Sequence, residues 1–265
     1  MKSKHIILLL QVQNINIMEI LIAYLLLFFA SLASGASVLA LKNHESKSLK
    51  LISVFGGAFL LAVCFIDLIP AMFEHESHSH DHHLSHSFLP LGATILIGFL
   101  LQLFLEQLSK GAEHGHIHSN SNQKSKISAI MLLIGVSIHG FLEGFPIVNQ
   151  GEINAPMITG IIIHNIPLSI IIVTVLIQSG YNKIKSMLLL SIFSSMAIIG
   201  SVLNQNLSIL EPFQNIILGI VVGILLHVST TTLFDTAESH KYNQKRFLIV
   251  VLAFLIVILL PSHIH

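Results

Sequence analysis

Eight stretches of this chain are apolar over some twenty residues each, and that pattern decides most of what the chain can fold into. They run Ile17–Leu41, Lys50–Phe73, Phe88–Leu108, Ser128–Val148, Pro156–Gln178, Ile184–Leu203, Pro212–Phe234 and Arg246–Pro261. An α-helix needs about 20 apolar residues to cross the hydrocarbon core of a bilayer. Each stretch is too long for a strand, and the alternation of an outer-membrane barrel is missing. The chain is 53% hydrophobic and only 10% charged, whereas an ordinary soluble domain carries about 25% charged residues. The expectation is an all-α, polytopic bundle of eight transmembrane helices, one membrane domain over residues 17–261 with a tail at 262–265.

Residues 1–16 stand apart. Their apolar run, Ile6–Leu10, is short for a signal peptide, and no good cleavage site follows. Met18 would open a cleaner first span, so this segment reads as a leader or a mis-called start.

Orientation follows from where the positive charges fall, because Lys and Arg accumulate in cytoplasmic loops. Lys42, Lys47 and Lys50 follow the first span, and Lys110, Lys124 and Lys126 the third. Lys183 and Lys185 follow the fifth, and Lys241, Lys245 and Arg246 the seventh. The loops after spans two, four and six hold none. Odd-numbered loops should therefore face the cytoplasm, with both termini extracytoplasmic in a multi-pass protein of the plasma membrane. Lys+Arg and Asp+Glu balance at 13 each, so the charge gives no handle for nucleic acid. The single cysteine, Cys64, excludes an internal disulfide or a CxxC site and is expected to pack against a neighbouring helix.

The chain has 17 histidines. Six crowd the loop after span two (residues 74–87): His75, His78, His80, His82, His83 and His86, beside Glu74, Glu76 and Asp81. Three more, His114, His116 and His118, lie in the loop after span three (residues 109–127). Imidazole suits zinc and its neighbours in the first transition row. The first tract would gather metal outside the membrane and the second would receive or sense it inside; the alternative is a polar linker with no specific role.

Ionisable side chains within the hydrocarbon are costly and usually mark a site or pathway. Here they are few: Asp67 in span two, His139 and Glu143 in span four, His164 in span five and His227 in span seven. Glu106 and Asp235, near span ends, read as interfacial. His139 and Glu143 are spaced i, i+4, so they share a helix face one turn apart and can grip one cation. Gly140 and Gly144 beside them allow another helix close. In span five, Pro167 follows His164-Asn165-Ile166; it kinks a helix and frees a carbonyl about one turn earlier. Asn165 and the run Ser229-Thr230-Thr231-Thr232 add neutral oxygens. Two readings stay open for these residues: a divalent-metal site with a route through it, or hydrogen bonds that tie helices together.

His139-Gly140-Phe141-Leu142-Glu143-Gly144 resembles the fourth-span motif of the ZIP (Zrt-/Irt-like) metal transporters, His-Asn-x-x-Glu-Gly. His164-Asn165-Ile166-Pro167 resembles their fifth-span motif, His-Glu-x-Pro followed by Glu or His. Asp67-Leu68-Ile69-Pro70 is similar to the end of their second span, often His-Leu-x-Pro-Glu. The resemblance covers the chain beyond the leader. It implies a transporter, not an enzyme, moving zinc, or iron, manganese or cadmium, towards the cytoplasm. The implied fold is a helix bundle with inverted repeats around spans four and five. The metal site carried over is His139, Glu143 and His164, completed by water or Asn165, with Asp67, His227 and Thr232 as candidates to line the route.

The chain also departs from the family pattern. Leu168 stands where a fifth-span Glu or His is usual, Gly140 replaces the fourth-span Asn, and Asn165 replaces an acid. The seventh-span acidic position falls near Thr232. One metal at most is therefore expected, in a site of net charge +1 that should release its ion readily. Two rivals follow: a membrane-embedded zinc hydrolase, for which no HExxH is present, and a transport-incompetent metal sensor, motivated by Leu168. The expected partners are divalent metal ions and the lipid bilayer, with a homodimer as a candidate assembly.

Overall fold

The computed structural model describes residues 2–40, 46–77, 90–109, 126–149, 151–235 and 244–260. Among them the helices are α1 (Lys2–Ala40), α2 (Ser46–Val63), α3 (Ile69–Ser77), α4 (Leu91–Ser109), α5 (Lys126–Glu143), α6 (Ala155–Gln178), α7 (Lys183–Asn206), α8 (Gln214–Asp235) and α9 (Gln244–Leu259). A π-helical turn, Cys64–Leu68, joins α2 to α3, so these form one span. The protein is a polytopic helical membrane protein.

Seven of these helical segments are long and apolar enough to cross a bilayer, including Ser48–Phe73, Lys126–Ile147 and Ser208–Phe234. The eighth expected span, α9, has 16 residues, which at 1.5 Å per residue reaches about 24 Å. It ends two residues before Pro261, and a proline pushes the residue ahead of it out of the helical region. At the other end α1 is helical from Lys2 onward, and its apolar span is Ile17–Ala40. Among the described residues, strand pairing is confined to a short hairpin between α5 and α6. Val148 pairs with Ile153 and Asn149 with Glu152, and Gly151 turns at φ 82°.

Local chemistry sets the helix ends. Asn154 caps α6 by accepting from the Met157 N–H at 2.8 Å, with Pro156 just inside the helix. Gly180, at φ 85°, terminates it: the Tyr181 N–H reaches the Leu176 carbonyl and the Gly180 N–H that of Ile177. Asn182 then caps α7 through the Lys185 N–H at 2.8 Å. This four-residue turn returns the chain antiparallel, and Lys126 at the head of α5 lies over the Tyr181 ring.

Membrane helices gain little from burying apolar surface against one another, so close backbone approach at small residues takes its place. α4 and α8 meet along Gly98, Gly219 and Gly223: a side chain on Gly98 would overlap the Ile220 carbonyl, and one on Gly223 the Ile95 carbonyl. α7 lies as close to the end of α5, where Gly144 faces the Ala197 carbonyl and Gly200 the Phe141 carbonyl. The tandem Gly56-Gly57 brings α2 against the His164 backbone on one side and Thr232 on the other. These contacts all lie within one chain. Two buried apolar clusters result. One gathers Phe59, Leu60, Ile161, Val222, Leu225 and Val257 around α2; the other gathers Leu132, Val136, Leu168, Ile172 and Phe193 between α5, α6 and α7. Outward-facing Leu21, Phe29, Leu100 and Leu252 are exposed, as helices facing lipid require.

The glycine seam yields a direct test. Gly98→Ala should destabilise the bundle by more than the ~1–3 kcal/mol typical of overpacking, because backbone and not a flexible side chain stands in the way. Gly92→Ala, on the same helix with nothing within 4 Å of the added carbon, should cost nothing. Thermal unfolding of both variants in one detergent checks this.

Candidate metal site

The carboxylate of Glu143 is 0% exposed. It ends α5, where unpaired helix carbonyls already make the surroundings negative. An isolated buried carboxylate is costly, so a cationic partner is required nearby. His139, one turn earlier, supplies the first contact: its Nε2 lies 3.0 Å from Glu143 Oε1. His164 on α6 supplies the second. Ligand atoms of His139, Glu143 and His164 lie within 4.8 Å of one another, and the two imidazole rings are 6.0 Å apart at 72°. Two imidazoles and one carboxylate from two helices make a donor set suited to a borderline-soft dication such as zinc.

In the chain the site residues lie close to members of both apolar clusters: His139 follows Val136 of the second, and His164 follows Ile161 of the first. Pro167 sits inside α6 without breaking it. Lacking an N–H, it leaves the Ile163 carbonyl, beside His164, without its helical donor. Asn165 follows His164 and is buried, its Oδ1 without a hydrogen-bond partner. One turn past His164, Leu168 is buried in the second apolar cluster, which offers no oxygen or nitrogen to a second ion.

The remaining sequence candidates fall elsewhere. Asp67 lies in the π-helical turn and accepts a hydrogen bond from the Asn154 amide. That contact is ten residues, about 15 Å of helix, before His164. Thr232 is buried against Gly57. His227 pairs with Glu106, Nε2 to Oε2 at 2.7 Å, and packs edge-on against Phe99. Glu106, near the end of its span, is thus also a half-buried partner of His227, its side chain 20% exposed. Sequence reasoning also passed over Gln102, whose Oε1 lies 3.1 Å from His139 Nδ1. The available signal was spacing: Gln102 and Glu106 are i, i+4, so α4 presents one to His139 and the other to His227. Cys64 is buried in the apolar cluster around α2. Of the loop histidines, only the backbone of His75 is described, at the end of α3; His78, His80, His82, His83, His86, His114, His116 and His118 lie outside the described residues.

Glu143→Gln separates the two demands on this carboxylate. It removes a buried charge while keeping shape, so the metal-free protein should melt no earlier than wild type. Zinc at about 100 times its dissociation constant should stabilise wild type by ~2.7 kcal/mol, and the variant should lose that gain. Thermal melts with and without zinc read both; an early melt of the metal-free variant would contradict this role.

Comparison with known proteins places the chain in a family. The ZIP zinc transporter family model matches residues 17–126 and 109–261. Zinc transporter ZIP9-B and zinc transporter ZIP9-A, both of Xenopus laevis, are 24% identical over 195 residues. That alignment covers 59% of this chain and 62% of each relative, so the chain spans about three fifths of the length of the curated relatives it matches. With helices able to span a membrane, the paired fourth- and fifth-span motifs and a family match over nearly the whole chain, the protein belongs to the ZIP zinc transporter family.

Proposed function

We propose that this protein carries a divalent metal ion, zinc in the first place, across the plasma membrane towards the cytoplasm. The observation that carries the reading is the buried trio His139, Glu143 and His164, whose ligand atoms lie within 4.8 Å of one another. A buried carboxylate flanked by imidazoles needs a cation, and imidazole ligation favours zinc over manganese. Iron, manganese and cadmium are the other substrates to be tested. Asn165 and water would complete the coordination.

Polar groups above and below the trio support a route. The Asn154–Asp67 contact stands at the hairpin end, where the flanking loops carry no Lys or Arg. Glu106–His227 stands one turn along α4 from Gln102, towards the Lys-bearing loop at 110–126. By the positive-inside rule the first end faces outward and the second inward. The central site holds a dication with a single carboxylate, leaving net charge +1, so the ion binds weakly enough to leave. Leu168 limits the site to one ion; it also motivates the sensor reading, in which metal binds without crossing.

Zinc uptake into proteoliposomes tests the proposal. Wild type should transport, and His139→Ala and Glu143→Ala should each lower flux by about tenfold or more. Acidifying the side from which zinc enters should slow uptake, because the imidazoles and carboxylate must be deprotonated to hold metal. Equal flux in all three proteins would overturn the assignment of the site, and binding without flux in wild type would replace the transporter by the sensor.

A further inference from the structure

Gln102 belongs to α4, outside both motif-bearing helices, and is 1% exposed. Its Oε1 lies 3.1 Å from His139 Nδ1, while His139 Nε2 lies 3.0 Å from Glu143 Oε1. The imidazole is therefore held at Nδ1 by α4, while its Nε2 faces the carboxylate on α5. A neutral imidazole carries one N–H and one lone pair, and only the lone pair binds a metal. With the amide oxygen towards Nδ1, that nitrogen donates and Nε2 presents its lone pair beside the carboxylate. With the amide reversed, Nδ1 would accept and the proton would sit on Nε2, between imidazole and carboxylate, where a cation must enter.

We propose that Gln102 is a positioning residue: by accepting the Nδ1–H of His139 it reserves Nε2 for the metal, on the Glu143 side of the ring. This rests on the reading of the trio as a metal site. α4 can hold the amide at this height because its glycine seam fixes it against α8. Hydrogen bonds to the second nitrogen of a ligating histidine set its tautomer and ring orientation, and their loss commonly weakens metal binding about 10- to 100-fold. Zinc affinity is thus set partly by a third span that supplies no ligand, and the order of groups across the site is α4 amide, α5 imidazole, α5 carboxylate.

The test measures zinc binding to the full chain in detergent, counting the component that Glu143→Gln abolishes so that the histidine loops do not contribute. Gln102→Leu should weaken that component about 10- to 100-fold. Gln102→Glu keeps an oxygen acceptor at the same reach and should bind as tightly as wild type or tighter. Nitrogen-15 spectra of histidine-labelled, zinc-loaded protein should show His139 with zinc on Nε2 and the proton on Nδ1, a signature lost in Gln102→Leu. Equal losses in both Gln102 variants, unchanged binding in Gln102→Leu, or zinc on Nδ1 of the wild type would each overturn the positioning role. Wild type lacking any Glu143-dependent zinc binding would instead overturn the site reading and this inference with it.

Discussion

The carboxylate of Glu143 is the point on which the rest of this structure turns. It is 0% exposed, at the negative end of a helix, in a chain that places few charges inside its spans. Burial and the helix carbonyls both disfavour the anion. Its contact with His139 at 3.0 Å and the nearness of His164 make sense as a set that waits for positive charge. Three donors from α5 and α6 can converge on one ion only if those two helices keep their relative height, and most of the packing serves that end.

The bundle achieves this with little help from the hydrophobic effect, since lipid tails are as apolar as leucine. Backbone contact at glycine takes over. Gly144 and Gly200 fix the end of α5 against α7, Gly56 lets α2 lie on the His164 backbone, and Gly98 with Gly223 joins α4 to α8. The chosen places matter. Each seam runs beside a helix that carries a polar group of the centre: Glu143 next to Gly144, His164 across from Gly56, Gln102 one turn after Gly98.

Much of this was legible in the sequence. Long apolar runs announce helices because composition alone satisfies the bilayer, and the i, i+4 spacing of His139 and Glu143 places them on one face before any tertiary contact is known. His164 and Pro167 were legible as a motif. The π-helical turn at Cys64–Leu68 was not, because an i→i+5 bond leaves no mark in composition. Asp67 read as a residue of span two, and it lies within that span, but its bond to Asn154 at the head of α6 is a tertiary contact that the sequence does not show. Glu106 read as interfacial because it lies near a span end; only the seam between α4 and α8 shows that His227 comes to meet it. The hairpin at 148–153 was hidden by the apolar run into Val148, and α9, Gln244–Leu259, is set two residues earlier than its apolar stretch.

Zinc-edge anomalous diffraction from zinc-soaked crystals would test the central claim most directly. The account predicts one strong peak inside the bundle, about 2.0–2.2 Å from His139 Nε2, a Glu143 oxygen and a His164 nitrogen. Peaks confined to the histidine-rich loops, or a second ion beside Leu168, would contradict it.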